Sequence, residues 1–186
     1  MATNVAGGYS RTLQYVSGTG RVLIMSCPIM RSTLNTITYG DQHFGNSVGT
    51  YYKLVNRNSG LVLGVNGGSL ANGAQLVQWT YTGAEDQAWH VTTTSGVTKF
   101  GNRNSGQVIG IWQGSTTEGA DAVQSLDTGA TNQQWTLEAD GSCYKILNAA
   151  SKMVLGVNGG STSSGEAVVQ WADTGSLDQQ WELVAV

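Results

Sequence analysis

Three segments of this chain align with one another without a gap, and that repetition limits the fold more than any other feature. The first reads YKLVNRNSGLVLGVNGG, then QLVQW and DQAW. The second reads TKFGNRNSGQVIGIWQG, then DAVQS and NQQW; the third reads YKILNAASKMVLGVNGG, then AVVQW and DQQW. Asn56, Asn102 and Asn148 stand 46 residues apart, and Trp89, Trp135 and Trp181 keep the same step. Three units of that length run over 49–94, 95–140 and 141–186.

Each unit reads as four short strands. In the first, Tyr52–Val55 alternates apolar and polar residues and ends on the turn residues Asn58-Ser59-Gly60. Leu61–Val65 closes on Asn66-Gly67-Gly68, Gln75–Trp79 follows a loop ending at Gly73, and Gln87–Val91 follows Thr82-Gly83. Short β-rich runs punctuated by Gly, Asn and Ser belong to a closed all-β architecture. The 26 glycines and single proline fit it. One unit is too small to bury its own apolar face, so three must share a core. A repeat of this length also suits a propeller blade, but three blades are too few to close one. The expectation is a twelve-stranded barrel of pseudo-threefold symmetry.

Only 11% of residues are charged, against a usual share of about a quarter. The surface is therefore built from Asn, Gln, Ser and Thr, neutral donors and acceptors suited to hydroxyl-rich partners. A net charge of −3 argues against nucleic acid, which needs clustered Lys and Arg. No run of about 18 apolar residues is available to span a membrane. Met1–Gly8 lack the basic start and apolar stretch of a secretory signal, which leaves the compartment open. His43 and His90 stand alone and no CxxC or HxxxH spacing occurs, so neither a metal nor a cofactor is expected. Cys27 and Cys143 lie in different units and read as two buried thiols rather than a disulfide. No nucleophile–base constellation suggests catalysis.

The triplets Gln87-Ala88-Trp89, Gln133-Gln134-Trp135 and Gln179-Gln180-Trp181 resemble the QxW motif of ricin-B-type lectins and family-thirteen carbohydrate-binding modules. Val77-Gln78-Trp79, with Thr82-Gly83 and Asp86, is similar to the rest of that family's repeat. The resemblance covers 49–186 and implies a β-trefoil with up to three shallow sugar sites. An aromatic residue of the third strand would stack on a sugar ring, while the residue before the QxW and its Gln would bind hydroxyls. Trp79, Asp86 and Gln87 would form the first site, and Trp171, Asp178 and Gln179 the third. The family often has Asp in the second strand, where this chain has Gly64, Gly110 and Gly156; either Asn66 and Asn158 supply the missing polar contact, or the sites are weaker or differently tuned. In the second repeat Ser125 replaces the Trp and Asn132 the Asp, so this copy is expected to be silent or altered. Trp112 is its candidate ring, with Asn132 and Gln133. Trp89, Trp135 and Trp181 are assigned to the shared core.

Residues 1–48 lie outside the repeat. Ser10–Val16 and Arg21–Met25 alternate like two strands of a hairpin about Ser17–Gly20; Thr33–Tyr39 reads as a third strand and 45–49 as a linker. This segment resembles the closing blade of sialidase-like β-propeller glycosidases, including exo-acting arabinanases. That resemblance implies the tail of a secreted polysaccharide-degrading enzyme followed by a non-catalytic binding module; the alternative is an N-terminal sheet that covers one side of the trefoil. Ring stacking and hydroxyl bonding suit galactose-, arabinose- or xylose-type sugars, as mono-, oligo- or polysaccharide. Two other functions fit the same fold. One is a protein-interaction or inhibitor trefoil with decayed sugar sites, and the other is part of a glycoside hydrolase.

Overall fold

The structure is a computed structural model that describes residues 50–186 and, ahead of them, the backbone of the strands Ser10–Val16 and Val22–Pro28. The chain divides into two compact units, Met1–Ser47 and Val48–Val186. In the first, β1 (Ser10–Val16) and β2 (Val22–Pro28) pair antiparallel from Ser10↔Pro28 to Val16↔Val22. The strand expected at Thr33–Tyr39, the linker 45–49 and the side chain of Cys27 lie outside the described residues.

The second unit holds twelve strands. Repeat one contributes β3 (Tyr51–Asn56), β4 (Val62–Val65), β5 (Leu76–Trp79) and β6 (Trp89–Thr94). Repeat two contributes β7 (Val97–Asn102), β8 (Val108–Ile111), β9 (Ala122–Ser125) and β10 (Trp135–Asp140). Repeat three contributes β11 (Cys143–Asn148), β12 (Val154–Val157), β13 (Val168–Trp171) and β14 (Trp181–Ala185). Following the pairings β3–β6–β7–β10–β11–β14 returns to β3, so six strands close a barrel. The seam is an antiparallel pair from Trp181↔Asn56 to Ala185↔Tyr52, which joins the two ends of the unit and leaves the barrel no edge. The hairpins β4–β5, β8–β9 and β12–β13 form a second tier. Single bridges Gln75↔Val123, Val77↔Ala167 and Asp121↔Val169 tie each hairpin to the other two. Three lobes of the same topology around one axis make a β-trefoil.

The apolar positions of all three repeats meet in one core. Leu54, Phe100 and Ile146 are fully buried, as are Leu63, Ile109 and Leu155, and Leu76, Ala122 and Val168. Trp89, Trp135 and Trp181 complete it. Each indole N–H donates to a second-strand carbonyl, of Leu63, Ile109 or Leu155, at 2.9–3.0 Å, so the burial leaves no orphaned donor. Truncating one such Trp costs about 3–5 kcal/mol.

Buried amides fasten the lobes together. Asn102 Oδ1 accepts from the backbone N–H groups of Asn104 and Ser105, shaping its own turn. Its Nδ2 donates to the backbone carbonyl of Asp86 at 2.8 Å, and Asn56 and Asn148 reach Asp178 and Asn132 in the same way. The repeated asparagines are therefore turn formers that also clasp the residue ahead of each QxW. Cys143 is buried with a free thiol.

Candidate functional site

Shallow clefts lie beside the hairpins of repeats one and three. In repeat one the cleft is lined by Asn66–Gly68, Trp79, Gly64, Val77, Asp86 and Gln87 among others. Its volume is about 340 Å³. The matching cleft of repeat three, about 420 Å³, is lined by Gly156, Asn158, Val169, Trp171, Thr174, Asp178 and Gln179 among others. The side chains expected at these two sites thus line common cavities.

Trp79 and Trp171 keep 46% and 41% of their surface exposed, although each ends a strand whose other residues are buried. Strand alternation alone does not hold such a ring upright; a neighbouring lobe does. The edge of Trp79 lies against Gly165 of repeat three, and that of Trp171 against Gly119 of repeat two. A Cβ at Gly165 or Gly119 would stand 3.0 or 3.2 Å from the ring's Cζ3, so only glycine leaves the seat open. The seating loops are in turn held by Gln78 and Gln170, which are fully buried. Gln78 Nε2 donates to the carbonyls of Ser161 and Ser163 at 2.9 and 2.8 Å, while its Oε1 accepts from the Ser59 hydroxyl at 2.8 Å. Sequence reasoning missed these glutamines; the invariant Gln ahead of Trp79, Ser125 and Trp171 was the available signal.

Gly64, Gly110 and Gly156 give way to the residues opposite them. A Cβ at Gly64 would sit 3.1 Å from Gln87 Cγ and 3.2 Å from Asp86 Oδ2, and Gly156 faces Gln179 and Asp178 alike. The carboxylate therefore stands above the second strand without being borne by it, which accounts for the glycine where the family often has Asp. Asp86 and Asp178 are half-buried, and among the described residues no donor reaches either carboxylate. Asn66 and Asn158 sit exposed at the lip of the clefts, where Asn158 Nδ2 stands 3.4 Å from Glu166.

The QxW glutamines are buried and committed to their loops. Gln87 Oε1 accepts from the Thr82 amide at 2.8 Å and from its hydroxyl, and Nε2 donates to the Thr80 carbonyl at 2.9 Å. Gln133 and Gln179 repeat this with Thr128 and Thr174. They shape the turn that presents the neighbouring Asp or Asn. Each loop is also anchored to the barrel. Lys99 and Lys145 pair with Asp127 and Asp173 at 2.7 Å, and in repeat one Lys53 lies 4.3 Å over the Tyr81 ring. At Asp127 burial pushes the carboxyl's pKa up, but the hydrogen bonds from Lys99 and the Gly129 amide, with the lysine's charge, outweigh it and hold it below the usual value. The Lys145 hydrogen bond does the same at Asp173 against partial burial.

In repeat two Ser125 leaves the third-strand ring missing, and the exposed indole there is that of Trp112, which heads the turn after β8. Asn132 and Gln133 stand where Asp86 and Gln87 stand in repeat one. No group of three or more His, Cys, Asp or Glu side chains suited to a metal occurs among the described residues.

Against this geometry, the sequence matches the family described as ricin-type beta-trefoil lectin domain-like over residues 41–125 and 131–186. The chain belongs to that family. Among solved structures, this lectin-like domain is similar to the designed threefold-symmetric protein ThreeFoil, with 37% identity and a TM-score of 0.72 over 73% of this chain and 99% of that one. It is similar at 38% identity and the same TM-score to 1,3Gal43A, an exo-β-1,3-galactanase of Clostridium thermocellum. That match covers 74% of this chain but 30% of the galactanase, so the domain spans under a third of that enzyme. The ricin B-like lectin of Macrolepiota procera, solved with lactose, shares the fold at 24% identity and a TM-score of 0.64 over 73% of this chain and 95% of its own. Comparison with curated proteins gives no match.

Proposed function

We propose that residues 49–186 are a non-catalytic carbohydrate-binding module that reads neutral sugars through the clefts of repeats one and three. The observation that carries this reading is the pairing, in both, of an exposed indole with a carboxylate that no donor among the described residues satisfies. An indole face in water is a platform for the C–H face of a pyranose or furanose. A carboxylate without a partner accepts directional bonds from hydroxyls beside that ring. Asn66 and Asn158 at the lips can add neutral contacts. Shallow open clefts of this kind bind weakly, in the range of about 10 μM to 1 mM, and two of them on one rigid body gain by avidity on a polymer.

The similarity to part of an exo-β-1,3-galactanase supports an appended module of a secreted polysaccharide-degrading enzyme, with residues 1–48 as the end of the preceding domain. Galactose-, arabinose- and xylose-type polymers are the substrates to try. Affinity electrophoresis in gels cast with β-1,3-galactan, arabinan or xylan tests the reading. The wild-type chain is retarded by at least one polymer, and Trp79→Ala with Trp171→Ala migrates as in a blank gel while keeping its circular dichroism. Retardation unchanged in that double variant rejects these clefts.

A further inference from the structure

The turn after the first strand of each repeat docks on a neighbouring lobe. Asn56, Asn102 and Asn148 open these turns and donate to the backbone carbonyls of Asp178, Asp86 and Asn132. The amide of the next residue follows suit: Arg57 donates to the Gln180 carbonyl, Arg103 to Ala88 and Ala149 to Gln134, at 2.8–2.9 Å. The three junctions therefore share one backbone geometry. Their side chains differ.

Arg57-Asn58 meets repeat three and Arg103-Asn104 meets repeat one, whereas repeat two receives Ala149-Ala150. Asn58 Nδ2 donates to the Gly160 carbonyl at 3.0 Å, and Asn104 Nδ2 to the Gly68 carbonyl at 3.2 Å. Gly160 and Gly68 line the two clefts. A Cβ on them would lie 3.7 Å from Oδ1 of Asp178 and 3.9 Å from Oδ1 of Asp86, so each sits beside its cleft's carboxylate. The arginines hold the turn that carries that carboxylate. Arg57 donates to the side-chain carbonyl of Gln180, and Arg103 Nε lies 3.2 Å from Glu85 Oε1. Each pair thus grips its cleft twice, at the lining glycine and at the acidic turn.

Repeat two, which receives the two alanines, is also the lobe with Ser125 in place of the Trp and Asn132 in place of the Asp. A clasp that the barrel needed would recur at all three junctions, as Asn56, Asn102 and Asn148 do. This one is kept where an indole meets a carboxylate and is missing where they do not meet. We propose that Arg57-Asn58 and Arg103-Asn104 are positioning pairs for sugar binding, the first for cleft three and the second for cleft one. This rests on the carbohydrate reading of those clefts. The pairs act through the glycine and the turn rather than on the sugar. They hold the carboxylate at a set place over the cleft, so binding does not first have to order it. Each cleft is completed by a lobe to which it does not belong.

The test uses the 186-residue chain labelled with 15N, with the indole N–H signals of Trp79 and Trp171 assigned by single Trp→Phe variants. Methyl glycosides of galactose, arabinose and xylose are titrated into the wild type, Asn58→Ala and Asn104→Ala. The expected effect is crossed. Asn58→Ala weakens binding about fivefold at Trp171 and leaves Trp79 within about twofold, and Asn104→Ala does the reverse. Asn58→Asp keeps a turn-forming residue but has no N–H to donate, so it should act as alanine does. Adding Arg57→Ala to Asn58→Ala should bring the loss at Trp171 to about tenfold or more. These four side chains are exposed, so the urea midpoint should stay at the wild-type value; a merely structural role would lower it together with both affinities. Weakening of both signals together, of the variant's own lobe alone, or of neither overturns the proposal and leaves the sugar reading standing. A wild type in which both signals ignore every glycoside removes both.

Discussion

Gln78→Ala probes the link between the hidden amides and the clefts. The side chain is fully buried and makes three hydrogen bonds: two donated to the carbonyls of Ser161 and Ser163 and one accepted from Ser59. Alanine leaves all three partners without their bond. At about 1 kcal/mol each the loss comes to about 3 kcal/mol, equivalent to a melting temperature roughly 10 °C lower for a domain of this size. All six tryptophans lie between residues 79 and 181, so tryptophan fluorescence in a urea or thermal melt reports on the trefoil unit alone. The threefold symmetry supplies its own replicates. Gln124 bonds Ser69, Ala71 and Ser105, and Gln170 bonds Ser115, Thr117 and Ser151, at 2.7–2.9 Å throughout. The three alanine variants should agree to within about 1 kcal/mol. Gln78→Glu, which keeps the acceptor and removes both donors, should recover little. A loss below about 1 kcal/mol at all three positions, or one position differing from the others by more than about 2 kcal/mol, would refute the reasoning.

Three further outcomes follow from the same geometry. Gln113 and Lys152 have φ of 53° and 62° where sister repeats place glycine, so Gln113→Gly or Lys152→Gly should raise stability by about 0.5–1 kcal/mol, read as a shift in the urea midpoint. Gly64→Ala should leave the barrel folded but push Gln87 and Asp86 aside, and weaken sugar binding in repeat one while Gly156→Ala acts on repeat three, each measured on the 15N-labelled chain at the indole N–H signal of Trp79 or Trp171. The carboxyls of Asp127 and Asp173 are held below their usual value, so their stabilisation is full above the unfolded pKa and disappears as pH falls through the folded one. Melts should therefore show stability declining below about pH 4, and Asp127→Asn with Asp173→Asn should flatten that decline.

Much of this fold was legible because it is written three times. The step between Trp89, Trp135 and Trp181 placed the core before any coordinate, and the barrel seam of β14 on β3 follows once three lobes must close. The exposed rings of Trp79 and Trp171 and their nearness to Asp86 and Asp178 were also readable, since motif spacing places them on one hairpin and its following turn. The seats under those rings were not, because Gly165 and Gly119 belong to the next lobe and only the tertiary fold brings them close. Trp112 shows the same limit: the sequence offers it as the candidate ring of repeat two, but its packing against Gly73 of repeat one appears only in the fold. The glutamines of the QxW carried a binding expectation; they line the clefts, and their amides also close the loops, a role the motif alone did not reveal. A motif's repetition does not tell whether it serves the ligand or the turn.

The most direct test of the central claim is a glycan array probed with the wild-type chain and with the Trp79→Ala, Trp171→Ala double variant. Indoles facing carboxylates that no donor among the described residues satisfies predict binding to a related set of neutral glycans, reduced to background in the double variant. An array blank for the wild type, or an unchanged set of hits in the variant, would contradict it.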